Sequence, residues 1–395
     1  MTADVTRELA ALQEAFRALA RLRDEGAARS LAEVVVRRYE RLRSPETAAQ
    51  RRALFHLLAT SFGPDTGALD AAIANWTNDR SPDAASTLWR AAEAPRLELL
   101  RAINLADDGI HTLLRMRGDL LDLRDPELAP VEQDLAYLLA SWFNRGFLDL
   151  RSIDWTTPAI TLEKLIEYEA VHEIRGWDDL RRRLQSDRRC YGFFHPSLPA
   201  EPLIFVEIAL VDGLATNIAD VIDAPTPNPT QADPPDTAIF YSITNSQPGL
   251  RGIPLGDFLL KQVIDELRRT VPSLTRFSTL SPVPGLRAWA ESNVTTLGEI
   301  DQTDAPIRAL AAQYLLTAKR DAEPLDPVAR FHLRNGARLE QINLDGDRSA
   351  KGQRESYGVL VNYLYEPAAL ADNHEAYVNE GRLAHSTEIA ALIND

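Results

Sequence analysis

The stretch Tyr241–Gly285, YSITNSQPGLRGIPLGDFLLKQVIDELRRTVPSLTRFSTLSPVPG, reads as strand, glycine-bearing turn, amphipathic helix and strand. The run leading into it, Thr237-Ala-Ile-Phe-Tyr-Ser-Ile, is short, β-branched and aromatic, the make-up of a buried strand. Gly249, Gly252 and Gly256 follow, with Arg251 among them. From Leu255 the apolar residues Leu259, Val263 and Leu267 recur every four positions, and Phe258, Leu260 and Ile264 widen the stripe, so one helix face is buried. A glycine turn that opens a helix presents backbone N–H groups at the positive end of the helix dipole, a seat for phosphate oxygens. The same order is also an ordinary strand-to-helix connection, and these residues alone leave both readings open. No Gly-Lys-Ser/Thr closes the turn as in a P-loop, and no acidic residue follows at the Rossmann distance.

Composition narrows the function. At 395 residues the chain can hold two domains and a large core. A net charge of −15 argues against a nucleic-acid partner, and an anionic ligand must be met by a local basic site. Arg251, Lys261, Arg268, Arg269 and Arg276 lie in the right stretch, although a solvated helix face accounts for most of them. The one cysteine, Cys190, excludes an intramolecular disulfide and a multi-cysteine metal centre, and its apolar surroundings make it a core residue. The chain shows no signal peptide, transit peptide or membrane-length apolar span, so the expectation is a soluble, cytoplasmic protein with no membrane partner.

Residues 1–146 read as successive helices, and 147–395 as a mixed α/β domain, an α+β architecture. Ser44-Pro45-Glu46, Ser81-Pro82-Asp83 and Asp125-Pro126-Glu127 are helix starts, each with a capping residue, proline and an acid in the first turn. No catalytic cluster is legible in this half, and His56 and His111 sit on apolar faces as packed or satisfied histidines. A helical module without chemistry packs on something, its own second domain or another subunit. After Gly146 the texture changes. Phe147–Trp155 alternates as a strand, Thr156-Thr157-Pro158 opens a helix expected to reach His172, and Cys190–His195 and Leu203–Val211 form a hairpin. Glu207 lies inside a very apolar strand and needs a partner, expected across the strand or on the backbone. Pro225–Pro235 holds five prolines and is a surface loop. Helical segments run from Leu286 to about Arg320. Asp326-Pro327 starts a short helix ending at Asn335-Gly336, and strands Arg338–Leu344 and Tyr357–Tyr365 flank a polar loop before a helical tail.

Several phrases resemble known families. Arg251-Gly252-Ile253-Pro254-Leu255-Gly256-Asp257-Phe258-Leu259-Leu260 is similar to the pyrophosphate turn of the GNAT acetyltransferase superfamily, with Pro254 in place of its middle glycine. His195-Pro-Ser-Leu-Pro-Ala-Glu-Pro-Leu-Ile, Gly249-Leu-Arg-Gly-Ile, Leu280-Ser-Pro-Val-Pro-Gly, Phe331-His-Leu-Arg-Asn-Gly-Ala and Val361-Asn-Tyr-Leu-Tyr resemble the malonyl-CoA decarboxylases. Arg115-Met-Arg-Gly-Asp-Leu-Leu and Trp142-Phe-Asn-Arg-Gly-Phe-Leu extend the likeness into the helical half. The resemblance implies a helical oligomerisation domain, forming a tetramer before a dimer, and a GNAT-like domain that binds the CoA thioester. It implies decarboxylation of malonyl-CoA to acetyl-CoA and CO2, in fatty-acid and malonate metabolism, without biotin, metal or another prosthetic group. It also implies that Ser281 and His332 are the catalytic pair, that Arg251, Gly252, Ile253, Leu255, Gly256 and Asp257 carry CoA, and that Tyr365 sits near the acyl end. Some relatives carry glutamate where Pro254 stands, so a carboxylate role there is not available to this chain.

The residue types suit that chemistry. Loss of CO2 leaves a thioester enolate, whose oxygen needs hydrogen-bond donors and whose carbon needs a proton. A histidine with an ordinary pKa of about 6.5 is a natural proton donor, and a serine beside it can hold the imidazole or the carboxylate. Read without the resemblance, Ser281 is a turn serine before proline and His332 a charge at a helix C-terminus. Ser242, Ser246 and Ser278 are rival serines; Ser278, three residues before Ser281, points to the other strand face. Two further functions fit a CoA turn: an acyltransferase passing an acyl group to an acceptor, and a non-catalytic CoA-binding scaffold.

Overall fold

The computed structural model describes residues 3–19, 24–225, 233–253, 259–293 and 304–394. Two compact units emerge, one from Met1–Phe147 with Gln247–Pro254, the other from Leu148–Ser246 with Leu255–Asp395.

Among its described residues the first unit is built of α1 (Ala3–Leu19), α2 (Glu25–Arg41), α3 (Ala48–Ser61), α4 (Thr66–Asn78), α5 (Pro82–Ala92), α6 (Pro95–Ile103), α7 (Gly109–Leu123) and α8 (Ala129–Trp142). The apolar faces of α1, α2, α3, α6, α7 and α8 meet in one core around Phe16, Tyr39, Phe55, Leu100, Leu113 and Met116, while α4 and α5 pack on each other. Ser81 caps α5 as expected, accepting the Ala84 N–H, and Asp125 accepts the Glu127 N–H. Ser44 does not cap. Pro45–Thr47 forms a 3-10 turn ahead of α3, and the serine hydroxyl meets Thr47 Oγ1 at 3.2 Å instead. His56 is satisfied by Asp125, 3.1 Å from its Nε2.

Expected inside the second domain, the segment Gln247–Pro254 groups with these helices instead. Arg117 of α7 explains it. Its buried guanidinium pairs with Glu132 at 2.6 Å and donates to the carbonyls of Gly249 (2.6 Å) and Arg251 (2.9 Å). Gly249 lies so close to α7 that a Cβ would overlap the Leu114 carbonyl, so only glycine fits.

The second unit runs β1 (Asp149–Ile153), α9 (Ala159–Tyr168), α10 (Trp177–Arg183), β2 (Arg188–Phe194), β3 (Ile204–Val211), α11 (Ile218–Ile222), β4 (Thr237–Asn245), α12 (Leu259–Thr270), β5 (Arg276–Thr279) and β6 (Ser281–Pro282). It continues with α13 (Leu286–Asn293), α14 (Asp304–Thr317), a small hairpin of β7 (Lys319–Arg320) and β8 (Glu323–Pro324), and α15 (Pro327–Arg334). It closes with β9 (Arg338–Asn343), α16 (Ala350–Ser356), β10 (Leu360–Leu364), α17 (Leu370–Glu380) and α18 (Thr387–Asn394). The main sheet has the order β1-β2-β3-β4-β5-β10-β6, with β9 also on β10. The pair β4–β5 is parallel, from Thr237↔Arg276 to Phe240↔Thr279, and the other strand pairs of this sheet are antiparallel among the described residues. An α+β chain with a helical region followed by a mixed-sheet domain is what the sequence leads one to expect.

Two details of the sheet position the site. Tyr241 is an extra residue on β4, because Glu207 pairs with Ser242 while Ile208 pairs with Phe240. Beyond Phe240, β4 continues to Asn245 beside β3 with no further β5 partner. The strands of the parallel pair therefore part company next to Ser281.

Other expectations shift. The helix after Pro158 ends at Tyr168, short of His172, because Glu169 turns out of it. Its carboxylate collects the N–H groups of Val171 and His172 and the hydroxyls of Ser242 and Thr244, at 2.8–3.0 Å. Glu207 finds its partner in Arg183 of α10, 2.9 Å away, neither across the strand nor on the backbone. The polar loop between β9 and β10 contains α16, capped by Ser349, whose alternation-free sequence gave no helical signal. Cys190 is buried in the core beneath α9 and α10. Most of Pro225–Pro235 lies outside the described residues.

Candidate active site

His332 is placed by the helix that the Asp-Pro start predicted. Asp326 Oδ1 accepts the N–H groups of Val328 (2.9 Å) and Ala329 (2.8 Å), and Pro327 takes the first helical position. The helix stops at Gly336, whose φ of +84° and lack of a Cβ against the Leu370 carbonyl suit glycine alone. His332 is thereby held facing the sheet, 2% exposed.

Three elements converge there. Ser281 Oγ of β6 lies 3.2 Å from His332 Nε2, and Tyr365 OH, just past β10, lies 2.7 Å from Nδ1. Tyr363 stacks on the imidazole with ring centroids 4.6 Å apart and planes 24° from parallel. Ser281 Oγ donates to Thr279 Oγ1 at 2.8 Å. All five residues are buried. The expected pair is therefore in contact, and Tyr365, expected near the acyl end, binds the far nitrogen of the same imidazole.

Burial decides the charge state. With no charged partner beside it among the described residues, desolvation lowers His332 from its ordinary 6.5 to about 3, so the imidazole is neutral at neutral pH. This corrects the picture of a histidine titrating near neutrality. Burial likewise pushes the Tyr365 phenol well above its usual range, so it keeps its proton. A neutral imidazole has one donor and one acceptor nitrogen, and a phenol on Nδ1 and a serine on Nε2 satisfy both.

Two of the three rival serines are engaged elsewhere. Ser242 donates to Glu169, and Ser278 reaches the carbonyls of Thr279 and Tyr363 at 3.3 Å. The Ser246 hydroxyl is buried without a hydrogen-bond partner among the described residues. Thr279 and Tyr363 were missed in the sequence, yet the signal was there. Each lies two residues before a singled-out residue, Ser281 and Tyr365, and strand alternation puts i and i+2 on one face.

The phosphate turn is described in part. Arg251 and Gly252 are exposed, Ile253 is buried, and Gly252 has a φ of +78° that favours glycine. Leu255, Gly256 and Asp257, together with Pro254, lie outside the described residues. His56, Asp125 and Glu127 have metal-ligand spacing, but Asp125 is engaged by Arg52 (2.6 Å) and by His56, and Glu127 is exposed. No helix among the described residues is long and apolar enough to cross a membrane.

Buried Ser281, His332 and Tyr365 thus form one continuous chain of polar contacts in the mixed-sheet unit. Comparison with known proteins then supplies the family. The model of the malonyl-CoA decarboxylase C-terminal domain matches residues 146–304 and 297–395, and that of the N-terminal domain matches 62–143. The mitochondrial malonyl-CoA decarboxylase of Rattus norvegicus is 32% identical over 404 residues, 88% of this chain and 82% of the relative. Crystal structures of malonyl-CoA decarboxylases from Rhodopseudomonas palustris (43% identity, TM-score 0.89, covering 99% of this chain and 100% of that one) and Agrobacterium vitis (44%, 0.89, 97% and 100%) are also similar. The chain belongs to the malonyl-CoA decarboxylase family.

Proposed function

We propose that this protein decarboxylates malonyl-CoA to acetyl-CoA and CO2, with Ser281, His332 and Tyr365 acting as one unit. The observation that carries the reading is the buried contact chain Ser281 Oγ–His332 Nε2 and His332 Nδ1–Tyr365 OH in a chain of this family. Breaking the bond between the carboxylate carbon and the α-carbon releases CO2 and leaves the electron pair as a thioester enolate. His332 Nε2–H gives its proton to the α-carbon while Nδ1 takes the proton of Tyr365; a solvent proton then enters at Nε2 and Nδ1 returns its proton to the phenolate, restoring the starting state. The single negative charge passes from carboxylate to enolate to phenolate, so no second charge arises in the buried site. A neutral N–H suffices because a thioester enolate is a far stronger base than either group. Ser281 orients the imidazole or holds the carboxylate, and no acyl-enzyme forms.

The turn Arg251–Asp257 is proposed to bind the CoA pyrophosphate, and the parting of β4 from β5 beyond Phe240 to admit the thioester arm. The reaction is proposed to need no biotin, metal or prosthetic group, the chain to assemble through its helical unit as a homotetramer or dimer, and its location to be cytoplasmic. Release of labelled CO2 from malonyl-CoA by the purified protein tests the activity, with methylmalonyl-CoA and an amine acceptor in parallel. Acyl transfer to the amine without CO2 release would replace this reading. His332→Asn and Ser281→Ala should each lower kcat by about 100-fold, and the double variant by little more, since members of a unit are not additive.

A further inference from the structure

The ladder between β10 and the β5–β6 strand is interrupted immediately before Ser281. Leu364 pairs with Ser278 and Val361 with Ser281, in one register, but the two positions between them pair through side chains. The Tyr363 N–H donates to Thr279 Oγ1 (3.1 Å), and Asn362 Nδ2 donates to the Thr279 carbonyl (2.8 Å). Asn362 is itself fixed by Asn343, whose Nδ2 reaches its Oδ1 at 2.6 Å. The Leu280 N–H meanwhile turns to the Phe240 carbonyl at 3.0 Å. Thr279 is 0% exposed, so its hydroxyl oxygen is reserved for two donors, the Tyr363 N–H and the Ser281 hydroxyl.

That arrangement gives the proton chain a direction. Among the described residues Tyr365 OH has His332 Nδ1 as its one hydrogen-bond partner, so a phenol that keeps its proton donates it there and the imidazole hydrogen sits on Nε2. Nε2–H needs an acceptor, which Ser281 Oγ supplies at 3.2 Å only if its own hydrogen points elsewhere. Thr279 Oγ1 is where it points, at 2.8 Å. With no acceptor at 279, the serine hydrogen would turn onto Nε2, and the imidazole would move its hydrogen to Nδ1, facing Tyr365.

We propose that Thr279 is a positioning residue for the decarboxylation, holding the Ser281 hydroxyl so that His332 keeps its hydrogen on Nε2. This rests on the assignment of Ser281 and His332 above. It also explains why the serine is no nucleophile, since its hydrogen is directed away from the base.

The test compares Thr279→Val, which keeps the shape and removes the acceptor, with Thr279→Ser, which restores it, in the full-length protein. Steady-state kinetics with malonyl-CoA and 15N NMR of histidine-labelled protein are the readouts, with His332 assigned by difference from His332→Asn. In the wild type, His332 should show the Nε2–H form. Thr279→Val should shift it toward Nδ1–H and lower kcat about tenfold or more with KM within about twofold, and Thr279→Ser should restore both. If Thr279→Val fails to fold, Thr279→Cys, whose sulfur is a weak acceptor, takes its place with the same expectation. A folded variant with wild-type kcat and an unchanged tautomer overturns the role of Thr279. Ser281→Ala separates the two levels: if it too keeps full activity, the Ser281–His332 assignment has failed, whereas its inactivity beside an active Thr279→Val rejects Thr279 alone.

Discussion

Acid should destabilise this protein in part through one buried imidazole, and the size of the effect can be worked out. His332 lies at about 3 in the folded chain against an ordinary 6.5, because burial penalises its charged form. Between those values the unfolded chain binds the extra proton and the folded chain does not. The stability contributed by the neutral imidazole is therefore complete above about pH 6.5 and is lost as pH falls toward 3. At about 1.36 kcal/mol per unit, the full loss is about 5 kcal/mol, and the part reached at pH 5 is about 2 kcal/mol. His172, lowered to about 4 by burial, adds its own loss in the same window. Comparing wild type with His332→Asn cancels the His172 contribution. Urea unfolding of both proteins at pH 7 and pH 5 is the assay. The substitution should be destabilising at pH 7, from lost packing and hydrogen bonds, and the gap should narrow by about 2 kcal/mol at pH 5. An equal gap at both pH values would mean that the imidazole is solvated and the burial argument is wrong.

Further outcomes follow from the same geometry. The pH profile of kcat should show no inflection near 6.5, since His332 is neutral throughout that range; a clear inflection there that His332→Asn abolishes would restore the imidazolium as the donor. Asp326→Ala removes the one oxygen, Oδ1, that accepts both N–H groups at the start of α15 and should cost about 1 kcal/mol by thermal melting, with a fall in kcat as His332 loosens. Arg117→Met leaves the Gly249 and Arg251 carbonyls and Glu132 without their partner, and a loss of about 3 kcal/mol in denaturant titration is expected. Gly249→Ala, whose Cβ would overlap the Leu114 carbonyl, should lower stability by about 1–3 kcal/mol and weaken CoA binding by calorimetry.

Local rules carried far in this chain. The strand–turn–helix–strand reading of Tyr241–Gly285, the Asp326-Pro327 start and the Gly336 stop depend on neighbours in sequence, through period, capping and glycine's freedom at positive φ. Those devices act within one helical turn or one strand, so the residues announce them. The helical first half and the mixed sheet of the second were legible for that reason, and Ser281 and His332 because their phrases resemble a family's.

Contacts across long separations were decided by the tertiary structure. Arg117 gathers the Gly249 and Arg251 carbonyls from more than a hundred residues away and draws the glycine turn into the helical unit. Arg183 reaches Glu207 from a helix, where strand pairing alone would offer a cross-strand neighbour. The acid–base character of His332 was likewise beyond sequence reading. Its type allows a pKa near neutrality, but the value depends on how much water is excluded, and Tyr363, Tyr365 and Ser281 enclose it only once α15 has docked on the sheet. Packing sets the dielectric, and the dielectric sets which proton is available.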